Sequence, residues 1–213
     1  MHEEDHPDTL KDSKITVYEN LIAVETGNKM QEDKIYDMCY IGRITKPKGI
    51  FDLIKVLKLL LKENIKLKVA VIGAYNNKIK TKLDKLIRKS ELQGQVIFFG
   101  YVSNKQKIET LKKSKLFISL SYEEGWNISL MEAASYGVPI IAYELCAYTY
   151  LNMNYYSIPP GNLIKVRSVI KTILNDPDLL NKYVENARDC VNTYNYKEIS
   201  EIQLKYIHSF LYK

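Results

Sequence analysis

The sequence predicts an α/β fold: a doubly wound parallel sheet with helices on both faces. Short segments that are apolar along almost their whole length recur every 20 to 30 residues between positions 38 and 143. Helix-like segments separate these runs, and three of the runs end in glycine. Strands without polar alternation are typical of a parallel sheet buried on both faces, because each helical crossover covers one face.

Five strands are predicted, and a helix-like segment follows each of the first four. The strands are Met38–Gly42, Leu67–Gly73, Gln95–Gly100, Lys115–Leu120 and Val138–Tyr143. The segment Gly49–Lys62, after the first strand, shows how the sheet is covered. Its polar side chains form one narrow stripe at helical spacing, made of Asp52, Lys55, Lys58 and Lys62. A helix this apolar lies flat on a sheet, so a Rossmann-like arrangement is indicated.

The pattern changes after the fifth strand. A tyrosine-rich segment leads to two prolines, and helix-like stretches follow at 162–174, 177–191 and 196–211. Asn195 and Glu198 resemble a capping box for the last of them. These changes predict three parts: an acidic leader or linker over residues 1–34 with a candidate strand at 15–24, a Rossmann-like domain over 35–195, and a C-terminal helix over 196–213.

Charge is distributed unevenly along the chain. The 213 residues carry a net charge of +6, yet residues 1–33 hold nine acidic and three basic side chains. Residues 46–90 hold thirteen Lys or Arg and three acidic residues. The excess of basic residues after the leader favours an anionic partner. This partner could be a phosphorylated ligand, an acidic membrane surface or nucleic acid. Solvated faces of lysine-rich helices explain many of the same lysines.

Several function classes are disfavoured by what the sequence lacks. Three scattered cysteines and three histidines argue against a disulfide framework, a zinc site and a histidine-dependent catalytic triad. The nine glycines form no GxG, GK or GxSxG pattern. No apolar run approaches the ~18 residues of a membrane span, and the acidic N-terminus is unlike a secretory signal. A cytoplasmic location is therefore expected.

The first informative loop is GRITKPKG, after the first predicted strand. Ligands of open parallel sheets bind at the carboxyl ends of the strands, where this loop lies. Arg43 offers a fork of hydrogen-bond donors and Lys48 a point charge, and both suit a diphosphate. The helix predicted to begin near Gly49 adds a partial positive charge. Two solvated loop cations are the simpler alternative for this loop alone.

The second informative loop lies in SYEEGWNISLMEAASYGVP. Glu124 precedes a helix that is predicted to begin near Asn127, and Glu132 lies inside it. Gly125 permits close approach of a ligand. The helix would begin with the free N–H groups of Ile128, Ser129 and Leu130. These N–H groups would face the same edge of the sheet as the two cations. Carboxylates suit sugar hydroxyls, so the combination favours a nucleotide-sugar.

These motifs resemble a known family. GRITKPKG, VIFFGYVS and SYEEGWNISLMEAASYGVPII are similar to the C-terminal, donor-binding domain of the group 1 retaining glycosyltransferases, which is one half of a GT-B fold. The resemblance runs from about Tyr40 to Val138, and more loosely to the C-terminus. Its most specific part is the pair of glutamates separated by seven residues, together with the GRxxxxKG loop.

The resemblance implies a role for each matching residue. Arg43 and Lys48 would bind the donor diphosphate, Glu124 the transferred sugar and its transition state, and Glu132 the ribose hydroxyls. Val102 would flank the base, and the amides of residues 128–130 would contact the distal phosphate. No metal or other cofactor is expected, because fixed cations stabilise the leaving diphosphate. The partners implied are a nucleotide-sugar donor and an acceptor-binding domain or subunit, with no nucleic acid.

The sequence departs from the family at informative places. Asn127 stands where the family usually has glycine, and a shorter segment replaces the glycine-rich stretch beyond Ala142. No counterpart of the acceptor-binding domain is recognised, so the chain is expected to be inactive alone. Two other functions remain open: a non-catalytic nucleotide-sugar-binding module or split-enzyme subunit, and a basic protein associated with membranes or nucleic acid. Peripheral association with the inner face of a membrane is a further expectation.

Overall fold

A computed structural model describes residues 33–151, 155–192 and 196–211. The predicted strand at 15–24, most of the leader and Asn195 of the capping box lie outside this range. The described residues belong to two units, one within residues 22–195 and one that contains the helix after residue 195. The domain boundaries that the sequence suggested stay predictions.

The main unit is a six-stranded, fully parallel sheet in the order β3-β2-β1-β4-β5-β6. The strands are β1 (Tyr36–Ile41), β2 (Val69–Ile72), β3 (Val96–Gly100), β4 (Ser114–Ser119), β5 (Ile140–Tyr143) and β6 (Tyr156–Ile158). The α/β, Rossmann-like prediction is confirmed. The sixth strand was not predicted, because three residues are too few to show a pattern.

Helices connect the strands and cover the sheet. They are α1 (Ile50–Leu61), α2 (Asn77–Lys89), α3 (Asn104–Lys112), α4 (Ile128–Ser135), α5 (Leu163–Asn175) and α6 (Pro177–Asn192). A short 3₁₀ helix spans Cys146–Leu151, and α7 (Tyr196–Leu211) forms part of the second unit. Successive residues of the central strands are buried, for example Met38, Cys39 and Tyr40 in β1. Both faces of the sheet are therefore covered, as continuous apolar strands require.

The strand order fixes where a ligand crevice can form. The chain runs from β1 outward to β2 and β3, and then returns to the other side of β1 as β4. The crossovers that follow β1 and β4 thus diverge, which opens a crevice at the carboxyl ends of these two neighbouring strands. The two loops singled out in the sequence follow exactly these strands.

Candidate functional site

Two loops form the walls of one cleft at the carboxyl ends of β1 and β4. We call residues 42–48 the β1 loop and residues 120–127 the β4 loop. The backbone N–H of Tyr122 donates to the carbonyl of Pro47 at 2.8 Å. The ammonium of Lys48 donates to the carbonyl of Glu123 at 3.0 Å. These hydrogen bonds hold together two loops that are more than 70 residues apart in sequence.

Tyr40 and Gly49 determine the conformation of the β1 loop. The hydroxyl of Tyr40, a buried residue, lies 3.0 Å from the carbonyl oxygen of Arg43 and 3.2 Å from that of Lys48. At the end of the loop, Gly49 has a left-handed backbone with φ of 73° and precedes α1. A β-carbon at Gly49 would lie 1.8 Å from the carbonyl oxygen of Leu120, so the two loops pack too closely here for any side chain.

The two predicted phosphate-binding cations differ in their surroundings. Lys48 forms an ion pair with Glu124, with 2.7 Å between the ammonium and Oε2, and both side chains are largely buried. Arg43 is exposed, and no carboxylate in the described part of the chain lies within ion-pair distance of it. Both cations line a cavity of about 300 Å³ together with Glu124. Among the described residues, Arg43 is therefore the cation of this cavity that has no ion-pair partner.

Glu124 is fixed at both of its carboxylate oxygens. Oε2 pairs with Lys48, and Oε1 accepts a hydrogen bond from the hydroxyl of Ser121 at 2.7 Å. Burial, followed by the nearby Glu124 carboxylate, raises the pKa of Tyr40. Gly125 lies beside these groups, exposed, with open space where a side chain would stand. A second opening of about 580 Å³ is lined by Arg43, Thr45, Pro47, Lys48, Glu123, Glu124 and Gly125.

Asn127 builds the start of α4, which closes the cleft. Its backbone is left-handed, with φ of 31°, a conformation that asparagine tolerates better than most residues. Its side-chain amide donates to the hydroxyl oxygens of Ser119 at 2.9 Å and Tyr148 at 2.8 Å. Asn127 thus makes two side-chain hydrogen bonds that the glycine expected from the resemblance could not make.

The N-terminus of α4 provides two free amides rather than three. Ile128 and Ser129 line the cavity, and their N–H groups have no acceptor within the described ranges. The N–H of Leu130 donates to the backbone and side-chain oxygens of Asn127, at 3.1 and 3.2 Å. The expectation of a free Leu130 amide is therefore wrong, because Asn127 caps the helix. Two amides at a helix start still form an anion-binding end.

Glu132 and Val102 lie apart from this cavity. The ammonium of Lys107 in α3 lies 2.6 Å from Oε1 of Glu132. The other oxygen, Oε2, is buried without a hydrogen-bond partner in the described part of the structure. Val102 is half-buried and comes directly before Ser103, which caps α3. The structure thus gathers five predicted residues in one cavity, namely Arg43, Lys48, Glu124, Ile128 and Ser129, with Gly125 in the adjoining opening.

Other lining residues were missed in the sequence. The cavity is also lined by Ser119, the last residue of β4, by Ser121 in the β4 loop, and by Tyr40, Ile41 and Trp126. The two serines could have been found, because they lie where the apolar run of the strand ends. The ion pair of Lys107 with Glu132 could not be predicted from the sequence, because the two residues are 25 positions apart.

Hydrogen bonds to the buried carboxylate of Asp52 hold the β4 loop from its other side. Oδ2 of Asp52 accepts hydrogen bonds from the hydroxyls of Tyr122 and Tyr143, and Oδ1 pairs with Lys55. Asp52 is only 6% exposed, although the sequence placed it in the polar stripe of α1. Burial opposes its ionised form, but the hydrogen bonds outweigh burial and lower its pKa. Burial and the charge of Asp52 raise the pKa of Tyr143.

Two other kinds of feature are absent from the described residues. No group of three His, Cys, Asp or Glu side chains there is placed to hold a metal ion. No helix in the same ranges is long and apolar enough to cross a membrane.

The fold is an α/β, Rossmann-like domain of the kind found in GT-B glycosyltransferases. The family model of group 1 glycosyl transferases matches residues 26–189. The chain therefore belongs to the group 1 glycosyltransferases.

Named relatives include two bacterial enzymes. The chain is 29% identical over 167 residues to poly(glycerol-phosphate) alpha-glucosyltransferase of Bacillus subtilis, covering 75% of this chain and 24% of the relative. It is 27% identical over 196 residues to poly(ribitol-phosphate) alpha-N-acetylglucosaminyltransferase of Staphylococcus aureus, covering 89% and 38%. The chain thus spans well under half the length of these relatives.

Solved structures share the fold. A mutant of S. aureus TarM in complex with fondaparinux, alpha-GlcNAc-glycerol and UDP superposes with a TM-score of 0.80 at 24% identity, covering 93% of this chain and 40% of that one. The C-terminal domain of a group 1 family protein from Francisella tularensis superposes with a TM-score of 0.66 at 23% identity, covering 76% and 86%. Both likenesses concern the fold alone.

Proposed function

We propose that this chain is the donor-binding part of a retaining glycosyltransferase. It binds a nucleotide-diphospho-sugar for transfer of the sugar to a glycan or lipid acceptor. The observation that carries the proposal is one cleft that combines Arg43, Lys48 and the free amides of α4 with the carboxylate of Glu124. Donors of positive character suit a diphosphate, and a carboxylate beside them suits sugar hydroxyls.

Each group has a part in the proposed reaction. Arg43, Lys48 and the amides of Ile128 and Ser129 bind the diphosphate and stabilise the charge that develops as it leaves. Glu124 binds hydroxyls of the transferred sugar and stabilises the positive charge that grows on its ring in the transition state. No metal is required in this proposal, because the protein's own cations face the leaving group.

The nucleoside half of the donor is assigned to the neighbouring helices. Glu132 binds the ribose hydroxyls, and Val102 flanks the base from the loop before α3. The carboxylate of Glu132 has a buried oxygen without a partner in the described residues, and a buried acceptor of this kind costs about 1–3 kcal/mol. A shift of the side chain toward ribose hydroxyls would relieve this cost.

The acceptor is assigned to a different part of the enzyme. Transfer needs the acceptor hydroxyl at about 3–3.5 Å from the anomeric carbon in a site that excludes water. The described cleft is open, and the chain spans 24% and 38% of the two named relatives. We therefore expect at most slow donor hydrolysis from these 213 residues alone, and transfer once an acceptor-binding domain or subunit is present.

The relatives suggest what the donor and acceptor are. UDP is bound in the TarM structure, so a uridine-diphosphate sugar is the first donor to test. Both named relatives act on polyol-phosphate polymers, so an anionic polymer is the first acceptor. We place the reaction in the cytoplasm, with the basic body of the chain, thirteen cations in residues 46–90, near the anionic inner face of the membrane.

Titration calorimetry tests the donor site directly. UDP, GDP, ADP and their glucose or mannose conjugates are titrated into the chain, with inorganic diphosphate as the control for general attraction of anions. We expect one nucleotide to bind more tightly than inorganic diphosphate, with the same affinity in the presence of EDTA. Failure of every nucleotide to bind would overturn the proposed function, and loss of binding with EDTA would overturn its metal-free form.

A comparison of two variants shows whether nucleotide binding depends on the cleft. Arg43→Ala should weaken nucleotide binding, whereas Lys58→Ala removes an exposed cation from α1, away from the cavity, and should not. Equal losses in the two variants would mean that the basic surface as a whole attracts the nucleotide. A non-catalytic binding module would pass both binding tests and yet fail to transfer sugar when the acceptor domain is supplied.

A further inference from the structure

The ammonium of Lys48 contacts two oxygen atoms of the β4 loop. Its ammonium lies 2.7 Å from Oε2 of Glu124 and 3.0 Å from the carbonyl of Glu123. The Lys48 and Glu124 side chains are 16% and 13% exposed, so water screens the pair less than it screens a surface ion pair. A diphosphate that enters this cleft must therefore compete with Glu124 for the Lys48 charge.

The outcome of this competition depends on whether a sugar is present. With an intact donor, sugar hydroxyls offer Glu124 new hydrogen-bond partners, and Lys48 becomes available to the phosphates. With a nucleoside diphosphate alone, Glu124 has no sugar to bind and stays paired with Lys48. The diphosphate then depends mainly on Arg43 and on the amides of Ile128 and Ser129.

We propose that Glu124 makes the site discriminate between the intact donor and the nucleoside diphosphate product. Its carboxylate exchanges between Lys48 and the sugar, so departure of the sugar restores the ion pair and weakens the hold on the product. This inference rests on the proposed function and adds a second role for Glu124, as a specificity-determining residue.

The surroundings of Glu124 allow this exchange without movement of the backbone. The β4 loop is fixed by the hydrogen bond from Tyr122 N–H to Pro47 and by the contact of the Tyr122 hydroxyl with Asp52. Ser121 holds Oε1 of Glu124 at 2.7 Å. In the proposed exchange, the Glu124 carboxylate leaves Lys48 while these contacts hold the backbone of the loop.

The test measures affinities for UDP and UDP-glucose by titration calorimetry in wild type and four variants of the 213-residue chain. Glu124→Gln should bind UDP about 3- to 10-fold more tightly than wild type, the range between an exposed ion pair and a buried charge-assisted hydrogen bond. It should show no such gain for UDP-glucose. In the Lys48→Met background, the added Glu124→Gln change should have no effect on UDP binding, because the competed cation is gone.

A matched charge control is available in the neighbouring residue. Glu123 is exposed and touches Lys48 only through its backbone carbonyl, so Glu123→Gln removes the same charge without removing the ion pair. An equal gain in Glu123→Gln would mean general electrostatics and would overturn the inference. UDP binding that is unchanged or weaker in Glu124→Gln would also overturn it. If wild type binds no nucleotide, by contrast, the proposed function itself is wrong.

Discussion

The β4 loop is held in different ways on its two sides. On its buried side, Tyr122 and Tyr143 hydrogen-bond to Asp52, a carboxylate that is 6% exposed. On the cleft side, Glu124 is held by an ion pair with Lys48 and by one serine hydroxyl. The first set of contacts centres on a carboxylate that is almost wholly buried, whereas Lys48 and Glu124 line the cavity that is proposed to bind the donor. One side therefore fixes the loop in place, and the other leaves its functional side chains exchangeable.

This comparison predicts that the largest loss of stability comes from the buried side. Asp52→Ala should lower the free energy of unfolding by roughly 2–3 kcal/mol, because the buried Tyr143 hydroxyl loses its charged acceptor. Denaturant unfolding followed by circular dichroism measures this change. Lys55→Met is the control: it removes an exposed partner of the same carboxylate and should cost at most about 0.5 kcal/mol. Similar losses from the two variants would contradict the assignment of the buried hydroxyls.

The second prediction separates the two cations of the cleft. Arg43→Ala should weaken nucleoside diphosphate binding by about 1.5–3 kcal/mol, the size of a lost charge-assisted hydrogen bond. Lys48→Ala should cost less, about 0.5–1 kcal/mol, because binding to Lys48 requires its ion pair with Glu124 to break. Calorimetry on the two variants measures both values. A larger loss in Lys48→Ala would mean that the ion pair does not compete with the ligand.

The third prediction concerns the proposed ribose contact of Glu132, which lies outside the cavity. Glu132→Gln should weaken UDP binding by about 1–1.5 kcal/mol, as expected for one hydrogen-bonding group. It should have little effect on binding of 2′-deoxy-UDP, which lacks one of the hydroxyls. Lys107→Met should reproduce part of this loss, because Lys107 holds Glu132 at 2.6 Å, and Lys105→Met on the same helix is its control. An equal loss for UDP and the deoxy analogue would contradict the ribose assignment.

The smallest expected effect is a dependence of stability on pH. The hydrogen bonds to Asp52 lower its pKa below that of the unfolded chain, about 3.9. The resulting stability is fully present above that unfolded value and is lost as pH falls through the lower, folded pKa. Denaturant midpoints between pH 7 and pH 3 should therefore fall more steeply in wild type than in Asp52→Asn. Parallel pH profiles would show that Asp52 has no part in the acid sensitivity.

Much of the fold and of the cleft could be predicted from local features of the sequence. Apolar runs of strand length, separated by helices, predicted five of the six strands and their parallel arrangement. The ends of neighbouring parallel strands meet at one edge of the sheet. Cations and carboxylates in the loops that follow them, such as Arg43 and Glu124, therefore had to lie close together.

The partners of these side chains depended on the tertiary structure. Asp52 belongs to a polar stripe in the sequence, yet Tyr122 and Tyr143, 70 and 91 residues further along the chain, cover it. The Lys48–Glu124 ion pair likewise joins two loops that are more than 70 residues apart in the chain. Local periodicity determines which residues enter strands and helices, because it depends on near neighbours. The choice of hydrogen-bond partner depends on which distant loops pack together, and only the folded chain sets those distances.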